Sequence, residues 1–393
     1  MKEIYSDISI IGGGLIGVFA AYSLSKTGFS ITVVEKKQPY NEKKNMDFRT
    51  VAISEGTKVF LEKINLWKDI NKFAEKIKKI KVIDRQLSNN LQFDNSRRNS
   101  NLGYIVKNKD LLNIVYKNLR SQKNVTIYNN VSINNFYTQD DLINIECDEL
   151  SIKSSLNIAA DGKNSFVRAF HKTPFFIKNY KKSALVVTFT HNENHQNTAF
   201  EFFYKNGPLA ILPMRASNDD FTSSIIWTNK TKYLNEISKL DNDMLMALLF
   251  KETQHAVGNI KKIITKQIFP LSAHLNTKFY HDRTIYIGDA AHSFHPIAGQ
   301  GWNLGMKDIE NLNKLVTKYK SLGIDLGNKF FCKEYHNDNF YNAYRLYQVT
   351  DKLDSIFKNQ NPLISFGRSF ALSYLEKNKK INNLISDFAM GIN

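Results

Sequence analysis

The sequence predicts an α/β protein with a Rossmann-like dinucleotide-binding domain, an inserted domain built on a mixed or antiparallel β-sheet, and a helical C-terminal segment. Three observations predict this fold class. A buried strand, a glycine-rich turn and an apolar helix follow one another near the N-terminus. Segments in the middle of the chain alternate apolar and polar residues, as strands do when one face is buried. The last part of the chain has mostly helical periodicity.

The first unit consists of a predicted strand at 7–11, a helix at 14–26 and a second strand at 30–35. These lengths and their order are those of a βαβ unit. The apolar run that spans the first strand and the helix also resembles a signal peptide, but it contains four glycines and lacks a small-residue cleavage site. We therefore interpret it as part of the fold.

The glycines of the first turn have separate roles in dinucleotide binding. Gly12 permits a tight turn, Gly14 lets a pyrophosphate approach the backbone, and Gly17 lets the helix pack against the sheet. The helix N-terminus offers free amides and a partial positive charge. Glu35 ends the second strand, where a carboxylate accepts hydrogen bonds from ribose hydroxyls. The unit predicts a dinucleotide site, although an ordinary glycine-rich turn is the alternative.

Further elements follow from periodicity and from turn residues. Helices are predicted at 69–81 (basic and amphipathic), 110–120 and 304–318, and a polar loop at 87–101. Hairpin strands are predicted between 125 and 145, with other strands at 156–160, 183–190, 198–204, 223–228 and 284–287.

The composition favours a folded protein with a hydrophobic interior, since 42% of residues are hydrophobic and 12% are aromatic. The two cysteines have no metal-ligand spacing, which predicts buried free thiols in a reducing compartment. The net charge of +17 reflects scattered lysines without a nucleic-acid recognition motif. This charge is either compositional background or an attraction to anionic membrane. We expect a cytoplasmic protein, either free or in contact with a membrane surface, and no nucleic-acid partner.

A second glycine-rich loop narrows the choice of cofactor. It begins at Gly288 and Asp289 and continues through Pro296 to the run Gly299-Gln300-Gly301-Trp302-Asn303. The loop offers a carboxylate and then a series of free backbone amides. Together with the first turn it suits one extended ligand with a pyrophosphate, a polyol and an electron-accepting ring. This combination indicates FAD.

A third motif identifies a family resemblance. The stretch DGKNSFVR at 161–168 matches the pattern DGxxSxxR. With the two glycine loops it resembles the class A FAD-dependent aromatic monooxygenases, which have the fold of p-hydroxybenzoate hydroxylase. Within that group the chain is most similar to the ubiquinone-biosynthesis hydroxylases. The segments that carry this similarity are DFRTVAIS at 47–54, GYIV at 103–106, GPLAILP at 207–213 and GQGWNLGMKD at 299–308.

The resemblance implies roles for individual residues. Asp289 holds a ribityl hydroxyl of FAD, and Arg49 approaches the flavin or the pyrophosphate. Asp161 braces the loop on the cofactor side, Arg168 pairs with a phosphate or with Asp161, and Asn108 contacts the adenine half. Pro296 and the backbone from Gly299 to Asn303 border the flavin ring. The complete predicted cofactor-binding set is Gly12, Gly14, Gly17, Glu35, Arg49, Asn108, Asp161, Arg168, Asp289, Pro296, Gly299, Gln300, Gly301 and Asn303.

No catalytic side chain is predicted, because the flavin carries the chemistry in this family. His292 and His295 suggest acid–base catalysis, but a structural role is favoured for His292. No metal is predicted, because these two histidines lack a third ligand nearby in the sequence. Lys107 and Lys307 depart from the family pattern, in which an acidic residue and an arginine are expected.

The resemblance also implies a reaction. FAD is reduced by NAD(P)H or by a ferredoxin-type donor and reacts with dioxygen to a flavin hydroperoxide, which hydroxylates a polyprenylated phenol. The inserted sheet is expected to supply the substrate pocket. Five of its residues either form the wall of that pocket or belong to the ordinary core of the sheet. The candidates for the wall are Phe200, Phe202, Tyr204, Leu212 and Trp227.

The sequence predicts the following order of domains. FAD-binding segments occupy 1–70, 101–174 and 271–345, a substrate-domain excursion occupies 71–100, and the substrate-binding sheet occupies 175–270. C-terminal helices occupy 346–393, where apolar residues such as Leu363, Phe366 and Phe370 stand among lysines and either face a membrane or pack on the FAD domain.

Two alternatives remain open from the sequence. The chain is a flavin hydroxylase or reductase of another substrate, or it is a non-catalytic FAD-bound subunit of a biosynthetic complex. Substrate-stimulated oxidation of the reductant with formation of product separates an enzyme from such a subunit.

Overall fold

A computed structural model gives the fold. It describes residues 2–37, 47, 49–85, 89–94, 100–217, 220–294 and 300–358.

Strands form three sheets within the described ranges. The strands are β1 (Lys2–Ile11), β2 (Ile31–Glu35), β3 (Thr50–Ile53), β4 (Glu75–Ile77), β5 (Lys79–Asp84), β6 (Asn89–Asp94), β7 (Gly103–Lys107), β8 (Val125–Asn129), β9 (Ile133–Gln139), β10 (Leu142–Cys147), β11 (Leu150–Ala159), β12 (Phe175–His191), β13 (Thr198–Tyr204), β14 (Gly207–Ser217), β15 (Asp220–Lys230), β16 (Ile260–Asn276), β17 (Tyr280–His281), β18 (Thr284–Tyr286) and β19 (His292–Ser293).

Helices cover the sheets and connect them. They are α1 (Leu15–Ser25), α2 (Glu55–Lys63), α3 (Trp67–Ile70), α4 (Asn108–Leu119), α5 (Phe166–Phe170), α6 (Thr231–Lys239), α7 (Asn242–Glu252), α8 (Gln300–Ser321) and α9 (Lys329–Lys358). None of the described helices is both long enough and apolar enough to span a bilayer.

The first sheet has the order β17-β18-β11-β1-β2-β8, with the hairpin β9–β10 added to β11. Strands β18, β11, β1, β2 and β8 are parallel to one another, whereas β17 and the hairpin β9–β10 are antiparallel additions. Helices α1, α4 and α8 bury Phe19, Leu111 and Ile309 in the core of this domain. Ligands of such sheets bind at the carboxyl ends of the strands. β1, β11 and β18 end side by side there, and each leads into one of the three sequence motifs.

The second sheet has the order β19-β16-β12-β15-β14-β13-β5-β6 and is antiparallel apart from the pair β13–β5. Helices α6 and α7 cover one face, where Leu234 and Leu249 pack on Phe202 and Trp227. The third sheet, β3-β7-β4, packs on the other face. Helices therefore cover one face of the second sheet, and the third sheet packs against part of the other face.

The α/β fold class is confirmed, and most predicted elements are present with shifts of a few residues at their ends. The predicted helix at 69–81 is wrong. α3 ends at Ile70, and the rest forms β4 and β5. In the segment from Lys79 to Asp84, the apolar residues fit the alternation of a strand as well as the three- or four-residue repeat of a helix. Pairing with β13 and β6 selects the strand. The predicted loop at 87–101 likewise contains β6.

Candidate cofactor and active site

The first glycine loop joins β1 to α1, and two of its glycines are required by packing. Gly12 has φ of +109°, and a Cβ there would lie 2.5 Å from the carbonyl oxygen of Ala160. A Cβ on Gly17 would lie 1.8 Å from the carbonyl oxygen of Gly12. In contrast, no described heavy atom lies within 4 Å of a Cβ built on Gly14. The space in front of Gly14 is therefore open, as pyrophosphate binding requires.

Glu35 holds this loop in place from the end of β2. Its Oε2 accepts a hydrogen bond of 2.6 Å from the amide of Gly13. On the other side, the Tyr116 hydroxyl donates to the carbonyl oxygen of Gly13 at 2.8 Å. Burial, with a smaller contribution from Glu35, raises the pKa of Tyr116 to about 12, so its hydroxyl stays a donor. Ribose binding by Glu35 stays a prediction, and Tyr116 is a loop contact that sequence reasoning missed.

Asp289 lies in the short 3-10 turn at Gly288–Ala290, directly after β18. Its surface is accessible, yet burial is the largest influence on its carboxyl group and raises its pKa. A carboxylate at the bottom of a cleft explains both the accessible surface and the effect of burial, because it is surrounded by protein but open on one side. His292, Lys163 and Arg49 act in the opposite direction and lower this pKa. Asp289 thus shares a cleft with two cations from other segments.

Arg49 belongs to a polar cluster on the rim of that cleft. Its guanidinium donates to both carboxylate oxygens of Asp47, at 2.8 and 2.9 Å, and this contact is the largest cause that raises the pKa of Arg49. Its guanidinium carbon also lies 5.4 Å from the ring centre of Phe269 on the second sheet. Asn108 donates to Asp47 at 3.2 Å. The structure therefore places Asn108 beside Arg49, and its predicted contact with the adenine half is untested.

Asp161 and Arg168 occupy different positions in the second motif. Asp161 Oδ2 accepts from the amide of Val167 at 3.1 Å, whereas its Oδ1 is buried and has no hydrogen-bond partner among the described residues. Arg168 is only 8% exposed and donates to the carbonyl oxygens of Lys163 at 2.6 Å and Ala290 at 3.1 Å. It therefore ties the second motif to the turn that carries Asp289. Its guanidinium contacts these carbonyls and the His274 ring rather than the Asp161 carboxylate, and pairing with a phosphate stays a prediction.

The start of α8 forms the last wall of the site. Gly301 faces open space, since no described heavy atom lies within 4 Å of a built Cβ. Asn303 uses its side chain to fasten the helix to β3. It donates to the carbonyl of Ala52 at 2.7 Å and accepts from the amide of Ser54 at 2.9 Å. A cofactor contact from Asn303 would therefore come from its backbone. Pro296, Gly299, His295 and the Gln300 side chain lie outside what the structure describes.

A buried pair fixes the Asp289 turn against α8. His292 Nε2 lies 2.7 Å from Asp308 Oδ2, and the same oxygen accepts from the amide of Gly288 at 2.9 Å. Both side chains are 1% exposed. The contact agrees with the structural role favoured for His292. In the described ranges, no group of three or more His, Cys, Asp or Glu residues is placed to hold a metal.

These residues fit FAD. The open space at Gly14 suits a pyrophosphate, and the accessible carboxylate of Asp289 suits a polyol hydroxyl. The open backbone at Gly301 suits the edge of a flat ring, because a glycine lets it approach closely. Close packing joins the loops, since a Cβ on Gly305 would lie 2.7 Å from the Ile16 side chain. One elongated ligand can therefore touch all three motifs.

The second sheet turns a different face to this cleft from the one that we predicted. Phe200, Phe202, Tyr204 and Trp227 lie on the face that α6 and α7 cover. Only Leu212 of the predicted wall lies on the other face, against the third sheet. Alternation along a strand defines two faces but does not say which one is covered by helices. The four aromatic residues are ordinary sheet core, which was the alternative interpretation.

Comparisons with known proteins agree with this site. A family model described as FAD binding domain matches residues 5–321. Ubiquinone hydroxylase UbiL of Rhodospirillum rubrum is 26% identical over 388 residues, which cover 98% of this chain and 90% of that protein. The 3-demethoxyubiquinol 3-hydroxylase of Escherichia coli is 24% identical over 392 residues and covers 98% and 99% of the two chains.

Solved structures share the fold at low sequence identity. The p-nitrophenol 4-monooxygenase PnpA of Pseudomonas putida superposes with a TM-score of 0.81 at 17% identity and covers 100% of this chain and 99% of its own. CtdE, solved in complex with FAD, gives 0.70 at 15% identity, with 91% and 90% covered. The family model spans most of the chain and all three motifs. The chain therefore belongs to the FAD binding domain family, binds FAD and is an FAD-dependent monooxygenase.

Proposed function

We propose that this enzyme hydroxylates the aromatic ring of a polyprenylated phenol in ubiquinone biosynthesis. The names of the full-length relatives support the pathway. The chemistry of the cleft supports the substrate class. Bound FAD would supply the activation of dioxygen and the transfer of one oxygen atom to the ring, while the protein positions the ring and excludes water.

One observation carries the proposed substrate class. A row of directly paired residues crosses the face of the second sheet that also carries Phe269, the ring that Arg49 contacts, and each of its members is partly accessible. We call it the open row, and it consists of Gln267, Val186, Ile226, Ala210 and Glu201. Its middle is apolar, and it contains no cation. An aromatic acid would need a cationic partner, whereas a hydrophobic phenol fits this surface.

The residues around the cleft have distinct tasks in this proposal. Gly14 and the N-terminus of α1 receive the pyrophosphate, and Asp289 accepts a hydrogen bond from the ribityl chain. Arg49 lies between the cofactor cleft and Phe269 of the second sheet, so it separates the two ligands. The backbone amides at the start of α8 stabilise negative charge on the reduced ring.

The finer cellular assignment is also a proposal. We propose a cytoplasmic enzyme that contacts the membrane surface, where a polyprenylated substrate resides, and that works in a biosynthetic complex. The charge of +17 supports attraction to an anionic bilayer. The exposed apolar side chains of Phe166, Phe170, Phe176 and Ile177 support shallow insertion into its surface. Flotation with vesicles of anionic or zwitterionic lipid tests the contact. Equal recovery with both vesicle types, or with neither, contradicts an electrostatic contact.

Two experiments test the reaction. Purified enzyme is supplied with a 2-prenylated phenol, dioxygen and either NAD(P)H or a ferredoxin with its reductase, and the products are analysed by mass. We expect a product heavier by one oxygen atom, with one of the two reductants preferred. Quinone analysis of a deletion strain should show an accumulated, under-hydroxylated precursor. Reductant oxidation that the phenol does not stimulate would contradict the proposal and favour a non-catalytic subunit.

A further inference from the structure

Glu201 is the acidic end of the open row. It lies in β13, directly opposite Ala210 of β14 and beside Val82 of β5. Paired residues share a face of a sheet, so Glu201 points away from α6 and α7. It shares its face with Ala199, two residues earlier in β13, which packs against the third sheet. A carboxyl group thus stands on the side of the sheet that meets the FAD-binding domain.

The immediate neighbours of Glu201 on its face of the sheet are the apolar residues Ala210, Val82 and Ala199. Among the described residues, no hydrogen bond or ion pair reaches its carboxyl group. Its surface is partly accessible, yet protein surrounds it so closely that burial raises its pKa to about 7. An ionised carboxylate in such a place is costly without a hydrogen-bond donor. Position and environment together suggest that a ligand supplies the donor.

Other charged groups face this region from neighbouring elements. Asp84 lies on the same face of β5, two residues beyond Val82, and is fully buried. In the third sheet, Glu75 and Lys107 lie on the face of Ile77 and Ile105, which packs on the second sheet. Asn197 donates to Glu75. Burial lowers the pKa of Lys107. Burial, rather than any of these charges, is the cause that raises the pKa of Glu201.

We propose that Glu201 binds the phenolic hydroxyl of the substrate and acts as its general base. The inference rests on the proposed function and names the residue that recognises the substrate. The carboxylate first accepts a hydrogen bond from the phenol. As a ring carbon bonds to one oxygen atom of the activated dioxygen, the O–O bond breaks and the other oxygen atom is released as water. The phenolic O–H bond breaks in the same step, so that its proton passes to Glu201 and its electron pair forms the C=O bond of a dienone. The ring carbon then loses its hydrogen as a proton, the ring regains aromaticity, and Glu201 returns its proton to the phenol oxygen.

This role explains why the acidic group is placed in an apolar row. A phenol oxygen that gives up its proton pushes electron density into the ring, which the electrophilic oxygen then attacks. A base is most effective when its pKa is near the working pH, and burial brings Glu201 into that range. The apolar residues Ala210, Ile226 and Val186 then contact the ring and the prenyl chain. A negatively charged aromatic acid would be repelled by the same carboxylate.

The test compares wild type with E201Q and E201L, and uses E236Q as control, since Glu236 is an exposed residue of α6. All are purified with FAD and assayed with 2-geranylphenol from pH 6 to 9. For wild type and E236Q, kcat/KM should rise about tenfold per pH unit below pH 7 and then level off. In both Glu201 variants it should be about 100-fold lower above pH 7 and should lose this rise. FAD content should not change.

Each outcome of this experiment supports or overturns either the role of Glu201 or the proposed function. A wild-type profile without a rise near pH 7 overturns the role of Glu201 and needs no variant, which covers the case in which the variants do not fold. E201Q with wild-type kcat/KM and the same pH profile also overturns it. If wild type does not hydroxylate any prenylated phenol, the proposed function itself fails. If wild type hydroxylates it and E201Q does so equally well, only the role of Glu201 fails.

Discussion

The Nε2 atom of His292 lies 2.7 Å from Oδ2 of Asp308, and this buried contact joins the turn that carries Asp289 to the middle of α8. The same carboxylate oxygen holds the amide of Gly288. Because α8 begins at the glycine run of the second loop, one aspartate sets the relative position of both parts of that loop. The cofactor site therefore depends on a residue that itself lies outside the cleft.

We expect Asp308→Ala to destabilise the protein by about 2–4 kcal/mol, since it leaves a buried imidazole and a buried amide without their acceptor. The change should also lower the FAD content of purified protein. Chemical denaturation and flavin absorbance measure the two effects. Lys307→Ala is the control, because its exposed side chain precedes Asp308 on the same helix. Equal stability of the two variants would contradict the importance of this contact.

Substitutions of two glycines in the first loop should separate a loss of stability from a loss of FAD affinity. Gly17→Ala should cost about 3 kcal/mol or more, because its Cβ meets backbone at 1.8 Å. Gly14→Ala meets no described atom, and the φ of Gly14 is −72°, so stability should change by less than about 1 kcal/mol. FAD affinity should nevertheless fall, because the methyl group enters the space assigned to the pyrophosphate. Titration of apoprotein with FAD checks this, and unchanged affinity would place the pyrophosphate elsewhere.

Two buried histidines predict a loss of stability in mild acid. Burial is the main cause that lowers the pKa of His191 to about 4 and of His274 to about 3, from 6.5 in the unfolded chain. At pH values between the native pKa of each histidine and 6.5, the unfolded chain binds more protons than the native protein. The free energy of unfolding should therefore fall as the pH drops below 6.5, by up to about 1.4 kcal/mol per pH unit for each histidine.

The variant His191→Gln tests this dependence, because glutamine can keep a hydrogen bond with Ser223, which lies 2.9 Å from the imidazole. Its free energy of unfolding should fall less steeply than that of wild type between pH 6.5 and 5. Denaturation with urea at several pH values provides the measurement. Parallel curves for the two proteins would show that His191 does not titrate on unfolding.

The cofactor loops could be predicted from the sequence because their backbone geometry requires particular residues at particular positions. Gly12 and Gly17 are needed wherever a strand turns tightly into a helix packed on the sheet, so they stand out in the sequence. Contacts between distant segments leave no such signal. Tyr116 on Gly13 and Asn303 on β3 became visible only when the chain was folded.

In the inserted sheet, the sequence likewise did not show which face of a strand is covered or which strands pair. The alternation in β13 predicted a strand correctly, yet it did not show that Phe202 faces α6 and α7 and that Glu201 lies on the opposite face. Which face is covered depends on α6 and α7, whose packing is set far along the chain. In the segment 69–81, spacing suited a helix or a strand, and strand partners from elsewhere decided the outcome.

The most direct test of the central claim is the visible absorption spectrum of Asp289→Ala beside wild type and the control Asp243→Ala, which changes an exposed carboxylate of α7. If the loops jointly hold FAD, wild type and the control should be yellow, and Asp289→Ala should contain little flavin while it remains folded. A folded Asp289→Ala variant with full flavin absorbance would contradict the account.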